Sequence, residues 1–514
     1  MPIEFPSTFI NRDTLYTVNY MKILLTNPPS EMNNKIYKRA GVRWPSPGHS
    51  YTHRRDPKRY VPFPFFLAYT ASILKNDNNK VYAIDAVALQ MNEKTFYKKV
   101  KERRPDLIIQ ETSTPTIELD LKIAKKMKEQ TGAKIVFVGA HASVYPKDML
   151  KNKQVDYVAI GEYEYIIKEL AQKLNKNQNT EKIKGLALKK QNKIIINKRR
   201  ELIDPLDNLP YPARDIFPID DSSDLELYQD GMGKISPEVK IISSRGCPFK
   251  CNYCLWIQVI YPGKYRMHSA KRVVDEIEYV IKNHGAKSIY FDDDTFTANP
   301  QHVLDICSEI KKRSIKIQWA AMCDAIIITE EMIKSMSEAG CKTAMFGLES
   351  ADKAILKRIG KPLDMEKIKE VIKWCRKYNI MTHVTNCFGM TGDTFETMKK
   401  TLEYTCKVGA DSCQFSFAIP YPGTRFYNEA KEKGWLHKHE WKDIGDSAII
   451  SYPNLSAEEI KNWCKHASEY YNKSKRRNPQ WLIRTAKRRY KQDGAIGLLK
   501  SINNYTKLII KGKY

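Results

Sequence analysis

From Met21 the chain reads MKILLTNPPS, an aliphatic run closed by a proline pair, and this pattern predicts a buried first strand. Apolar positions then switch between continuous β-branched runs and helical spacing. FLAYTASILKN predicts a helix, KVYAIDAV and DLIIQ strands, TIELDLKIAKKMKEQTG a second helix, and KIVFVGA and DYVAIGE two more strands. Strands alternating with helices in this way predict a Rossmann-like, doubly wound parallel sheet over residues 21–175. Residues 1–20 lack the pattern and stand as an N-terminal extension. Over 176–238 a lysine-rich stretch, TEKIKGLALKKQNKIIINKRRE, predicts a β-hairpin, and LIDPLDNLPYPARD a proline-punctuated linker.

A second series begins near Val239. VKIISSRG, SIYFDDD, KIQWAAMCD, TAMFGLE, MTHVTNCFGM and CQFSFAIPYPG read as strands, with helical stretches such as AKRVVDEIEYVIKNHG between them. Six such repeats predict a partial (β/α)6 barrel over 239–430, in which chemistry collects at the C-terminal ends of the strands. The remainder, 431–514, reads as a separate, basic helical extension. The fold class is α/β throughout.

Composition narrows the setting. A chain of 514 residues with 42% hydrophobic content is long enough for two or three packed domains. No apolar run reaches about 18 residues, so no membrane-spanning helix is expected. The first twenty residues do not have the form of a secretory signal, so a cytoplasmic, reducing setting is expected. Net charge is +27, and from Pro453 to Tyr514 there are 15 Lys and Arg against 4 Asp and Glu, a net of +11. Such a tail suits an anionic membrane surface or an acidic partner, or is a solvated basic helix face. No specific nucleic acid is expected.

Of the eleven cysteines none precedes residue 247, and three then fall within CPFKCNYC. Cys247, Cys251 and Cys254 lie on the loop after the first barrel strand, where Gly246 frees the backbone. Three thiolates in one loop can converge on a soft metal centre. Structural zinc wants four protein ligands, and no fourth Cys or His follows at finger spacing. An iron–sulfur cluster with one iron left open explains the count better. The other eight cysteines are scattered and read as small buried hydrophobes.

CPFKCNYC resembles the signature of the radical S-adenosylmethionine (SAM) enzymes. The resemblance implies that Cys247, Cys251 and Cys254 hold a [4Fe-4S] cluster whose open iron binds SAM, with Tyr253 near the adenine. It also implies that Asp292 and Asp293, in FDDD at the second strand end, meet the SAM ammonium, although the more common Gly-Gly-Glu is absent and which aspartate acts is open. Glu349 and Ser350, in FGLES, would lie near the ribose and methionyl carboxylate. Helix capping is the alternative for these acids and for Ser350. FGMTGDTFET resembles the family's fifth-strand loop, with Thr391 where proline is usual. His383 and Asn386 lie on that strand, and a lone barrel histidine is more often a core residue than a functional one.

The N-terminal sheet resembles the cobalamin-binding domain that precedes many such barrels, so that the likeness spans roughly 21–430. On it, Thr112, Ser113, Thr114, Gly139, His141, Gly161 and Glu162 would face cobalamin. The string D-x-H-x-x-G is absent, which implies base-off binding without a protein histidine ligand. A sheet that kept the fold and lost the corrinoid is the alternative. With both cofactors, the resemblance implies a 5′-deoxyadenosyl radical that abstracts hydrogen and methylcobalamin that supplies a methyl group to carbon or phosphorus. The same domains also serve cyclisation, ring contraction and oxidation, and a zinc-containing nucleic-acid-binding protein is the remote alternative. The expected partners are a small-molecule, lipid or peptide substrate and an electron donor of the flavodoxin or ferredoxin type.

Overall fold

The computed structural model describes residues 20–32, 35–37, 47–48, 60–77, 79–228, 235–437, 441–444, 448–479, 481–487, 490, 494–496, 499 and 502–503. The predicted N-terminal extension, apart from Tyr20, and much of the basic tail lie outside them.

Strand β1 (Lys22–Asn27) runs parallel between β2 (Lys80–Asp85) and β3 (Leu107–Glu111), followed outward by β4 (Lys134–Val138) and β5 (Tyr157–Ala159). Ile23, Leu24 and Leu25 are fully buried. Both faces of a parallel sheet are covered by helices, so its strands are apolar on consecutive positions rather than alternate ones. The covering helices are α1 (Phe65–Asn76), α2 (Glu93–Arg103), α3 (Ile117–Thr131) and α4 (Glu164–Asn175).

The expected linker over 176–238 does not stand between domains. Its hairpin, β6 (Leu186–Lys190) and β7 (Lys193–Ile196), adds antiparallel to β5, while β8 (Pro218–Ile219) and β9 (Ser222–Ser223) add beyond β2. The sheet order is β7-β6-β5-β4-β3-β1-β2-β8-β9. Burial of Leu186, Ala187 and Leu188 holds the hairpin in place.

The second sheet is parallel throughout, in the order β10 (Glu238–Ile241), β11 (Ser288–Phe291), β12 (Gln318–Cys323), β13 (Cys341–Glu349), β14 (Met381–Phe388) and β15 (Ser412–Phe417). The six strands of the expected partial barrel are all present. Its helices begin where the sequence supplies caps: Ser269, Asn299, Thr329, Asp364 and Thr394 each accept a backbone N–H of the first turn of α5 (Ala270–His284), α6 (Pro300–Lys312), α7 (Glu330–Glu338), α8 (Met365–Lys377) and α9 (Phe395–Val408). Asp292–Asp294 therefore do not cap the helix after their strand.

The described residues just after the barrel pack against it. After α10 (Arg425–Glu432), helix α11 (Ala457–Arg476) starts at a Ser456/Glu459 capping box and buries Ile460, Cys464, Ala467 and Tyr471. This narrow stripe lies against β15 and α9, and Tyr471 Oη donates to Ala410 O at 3.3 Å. A basic, mostly polar helix hides so short a stripe from the sequence pattern.

The two sheets are locked by buried charge. Arg245 reaches Glu162 (3.1 Å) and Glu164 (2.7 Å), and Arg266 donates twice to Glu162 at 2.8 Å. Burial alone would raise the Glu162 pKa, but Arg245 and Arg266 outweigh it and hold the carboxyl below its ordinary value. For Glu164 burial wins, and its pKa is raised.

Candidate active site

The three thiols sit where β10 gives way to a tight loop. Gly246 has φ +88°, and a Cβ there would lie 2.2 Å from Lys264 O, so only glycine fits. Gln258 Nε2 donates to the carbonyls of Asn252 (2.9 Å) and Cys254 (2.8 Å), and Asn252 N donates to Ile359 O at 2.8 Å. The loop is thus held from its own far end and from the end of the short helix Lys353–Ile359 that follows β13. Gln258 carries no sequence signal for this task.

Cys247, Cys251 and Cys254 open on one cavity of about 790 Å³ at the C-terminal ends of the barrel strands. Burial pushes all three thiols up, Cys254 to about 12, and each lies close enough to another to raise it further by charge repulsion or to be raised by nearby carboxylates.

The three aspartates of FDDD divide. Asp292 and Asp294 line the cavity, and Asp294 accepts Gly246 N at 2.8 Å. Asp293 is fully buried and accepts the hydroxyls of Ser243 (2.8 Å) and Ser244, so it anchors the start of the cysteine loop and does not face the cavity. Of the two aspartates expected at the SAM ammonium, the geometry thus brings Asp292 to the cavity but not Asp293, and it adds Asp294.

Glu349 and Ser350 also part. Glu349 lines the cavity with φ +62°, after an irregularity in the β13–β14 register, and receives Lys361 Nζ at 3.2 Å. Ser350 turns away: it pairs with Thr401 Oγ1 at 3.3 Å and accepts Asp352 N at 3.1 Å. Lys361, missed in the sequence, is buried beside Glu349 and 4.0 Å from Asp324. Desolvation would lower its pKa, but the two carboxylates raise it instead.

Tyr253, His383 and Asn386 line the same cavity. His383 Nδ1 lies 2.9 Å from Ser412 Oγ, and burial lowers its pKa to about 4, so the ring is neutral. Asn386 donates to Gln414 O (3.1 Å) and accepts from Thr405 (2.9 Å). Thr391 lies outside and donates to Glu429 at 3.0 Å. Of the cysteines expected to be inert, Cys323, Cys387 and Cys464 reach the cavity, whereas Cys307, Cys341 and Cys375 are buried core.

On the N-terminal sheet, Thr112, Ser113, Thr114, Gly139 and His141 gather at the C-terminal edge. Gly139 has φ +103°, and a Cβ would meet Thr112 O at 2.5 Å. The hydroxyls are engaged inside the edge: Thr112 with Val138 O (2.7 Å), Ser113 with Thr116 (2.9 Å) and Thr114 with His141 (3.2 Å). Tyr145 and Trp441 pack on His141, and burial lowers its pKa to about 4. Gly161 backs onto Arg199, and the Glu162 carboxylate is taken up by the arginines of the junction, so neither presents a side chain to the edge.

Residues 241–405 match the Radical SAM superfamily and residues 59–171 the B12 binding domain. An uncharacterised methyltransferase of Pyrococcus horikoshii is 31% identical over 453 residues, 87% of this chain and 91% of its own length. The chain belongs to the cobalamin-dependent, methyltransferase-like radical SAM enzymes. Another member, the cytidylyl-2-hydroxyethylphosphonate methyltransferase of Streptomyces wedmorensis, is 24% identical and aligns over 86% of this chain and 88% of its own. The fold is that of the radical SAM methyltransferase TsrM from Kitasatospora setae, solved with cobalamin and a [4Fe-4S] cluster: TM-score 0.64, 18% identity, 80% of this chain and 75% of that one.

This radical SAM enzyme has residues suited to each of its cofactors. Among the described residues no three His, Cys, Asp or Glu side chains close on a single ion. The three spaced thiols instead suit a cluster, which spreads its ligands over several irons. At the sheet edge, the buried Gln110 Oε1 lacks a partner among the described residues, and Gly139 lets the backbone after β3 pack closely, with Thr112 O where a Cβ would stand. The open acceptor fits a corrinoid amide rim.

Proposed function

We propose that this enzyme methylates an unactivated carbon, or a phosphorus centre, of an organic substrate. The observation that carries the reading is one cavity in which the cysteine loop, Trp256 just after it, Asp292, Asp294 and Glu349 meet Tyr60 and Pro62 from the side of the N-terminal sheet. When bound, the cluster with SAM supplies a hydrogen-abstracting radical and cobalamin supplies the methyl group.

The residues divide the work. Cys247, Cys251 and Cys254 hold three irons. Asp292 or Asp294 accepts the SAM ammonium, because a cation in a cavity needs carboxylate acceptors. Glu349, oriented by Lys361, receives the ribose or the methionyl end, and Tyr253 backs the adenine. Thr112–Thr114, Gly139 and His141 border the corrinoid, chiefly through backbone groups because their hydroxyls are already paired, and the His141 ring, buried under Trp441, is not a cobalt ligand. Cobalamin held here would bind base-off, since among the described residues the edge offers no free histidine ring. An acidic one-electron donor of flavodoxin or ferredoxin type fits the basic surface, and the exposed Ile483, Tyr490, Ile496, Leu499 and Ile502 support docking of the tail on an anionic membrane. No helix among the described residues is long and apolar enough to cross a membrane.

Anaerobic incubation with SAM, reductant and candidate substrates tests the reaction. S-adenosylhomocysteine together with 5′-deoxyadenosine and a product heavier by one methyl group is the expected result. Deoxyadenosine alone would reassign the enzyme to radical chemistry without methyl transfer.

A further inference from the structure

Helix α11 brings Lys461, Cys464, Lys465 and Ser468 to the cavity. The spacing i, i+3, i+4, i+7 is one helix face. Cys464 is buried and the two lysines are exposed, so the thiol lies in the wall and the ammonium groups stand at the rim. Among the described residues neither lysine has an ion-pair partner. Lys361, deeper in the same cavity, is by contrast taken up by Glu349 and Asp324.

The lining is therefore polarised. Asp294 acts on Cys247 and Cys254, and Glu349 and Asp324 act on Cys251, which places the acids at the cysteine end. The positive charge without partners is at the α11 end. Between them stands His383, 7% exposed, whose Nδ1 is satisfied by Ser412 and whose buried Nε2 has no partner among the described residues. A buried polar atom left without a partner is unfavourable, so a ligand that meets it is favoured.

We propose that the substrate carries a phosphoryl group, as a phosphate monoester or a phosphonate, held at the rim by Lys461 and Lys465, with its body passing His383 toward the cysteine loop. The Ser468 hydroxyl beside them donates to Cys464 O at 2.9 Å, so the two ammonium groups carry the contact. Two rotatable ammonium groups suit a three-oxygen anion, whereas a carboxylate, with two oxygens in a plane, is better matched by a guanidinium fork, which this rim lacks. The assignment of the reacting end rests on the methylation reading above. The anion site does not.

The test is equilibrium binding of inorganic phosphate and of glycerol phosphate to the cluster- and cobalamin-loaded enzyme, by calorimetry or phosphorus NMR. Wild type binds both saturably and acetate more weakly. Lys461→Ala/Lys465→Ala weakens phosphate by about tenfold or more, while Lys461→Arg/Lys465→Arg and Lys473→Ala, an exposed lysine of the same helix outside the cavity lining, stay within about threefold. Equal affinity for acetate, an unchanged double-alanine variant, or an equal loss in Lys473→Ala would each overturn the proposal. Iron and cobalamin content reports folding, and the single variants Lys461→Gln and Lys465→Gln, read in the same way, decide if the double variant does not fold. Phosphate binding without a methylated product would refute methylation and leave the anion site standing.

Discussion

Lys361 Nζ lies 3.2 Å from Glu349 Oε1, and a Cβ on Gly347 would come within 2.6 Å of that ammonium and 2.3 Å of that carboxylate. The pair has room because Gly347, two residues before the end of β13, carries no side chain, so that Lys361, twelve residues after Glu349, turns back under the strand end. With Asp324 at 4.0 Å, Lys361 sits between two carboxylates beside the Cys251 thiol. Removing one partner of a buried pair leaves the other charge uncompensated. Lys361→Met is expected to cost about 3 kcal/mol of stability and to weaken SAM binding, and adding Glu349→Gln should restore part of that stability. Denaturant melts of the four proteins of the cycle check this, and additive effects would show that the two side chains are not coupled.

The cysteine loop makes a separable prediction. Changing Cys247, Cys251 or Cys254 to Ala should reduce iron from about four per chain to near none and abolish deoxyadenosine formation. Cobalamin uptake should persist, because the sheet edge after β3 and β4 draws on none of these residues. Deoxyadenosine retained by any of the three variants would refute the assignment.

At the junction of the sheets, Arg245 stands two residues before Cys247 and neutralises both Glu162 and Glu164. Arg245→Met is expected to cost about 3 kcal/mol, since it leaves the buried Glu164 without its arginine, while Glu162 keeps Arg266. It should also lower the yield of cluster-loaded protein by loosening the entry to the loop. Chemical denaturation and iron analysis read the two effects, and a variant as stable as wild type would mean that the network contributes nothing net.

How far the sequence foretold this molecule depends on how local each cause was. Both parallel sheets were legible, because an uninterrupted apolar run such as ILL at 23–25 has one good solution in an α/β protein. The thiol loop was legible from its spacing together with its place after the first barrel strand. That Asp293 and Ser350 turn from the cavity was not legible, because the sequence shows which residues end a strand but not which way each side chain turns, and adjacent positions point to opposite faces. The pairing of Glu162 was not legible because its partners, Arg245 and Arg266, lie more than eighty residues away. Lys361, Gln258 and the lysines of α11 carry no local pattern, and only the closing of the barrel brings them to the cavity.

The tail carries a test of its own. Five large apolar side chains between Ile483 and Ile502 are more than half exposed on a strongly basic segment. Flotation with anionic vesicles should recover the full chain in the lipid fraction and leave a chain ending at Asn478 behind, with the difference shrinking as salt rises. Equal recovery of both in the lipid-free fraction would remove the membrane from the list of partners.

Acid should unlock the same junction through His268. Its Nδ1 donates to Asp207 Oδ1 at 3.0 Å, its ring is almost wholly buried, and its Nε2 has no partner among the described residues. Burial lowers its pKa from 6.5 to about 4, with Arg272 and Arg245 acting in the same direction and Glu276 and Asp207 too weak to reverse it. The folded chain therefore holds this ring neutral where the unfolded chain protonates it. The resulting stability is fully present above about pH 6.5 and is lost as pH falls toward 4, on the order of 3 kcal/mol for this group. His268→Asn keeps a donor near Asp207 and cannot take up the proton. Its melting temperature should fall less steeply than that of wild type between pH 6.5 and 4, and parallel curves for the two proteins would place the acid sensitivity elsewhere.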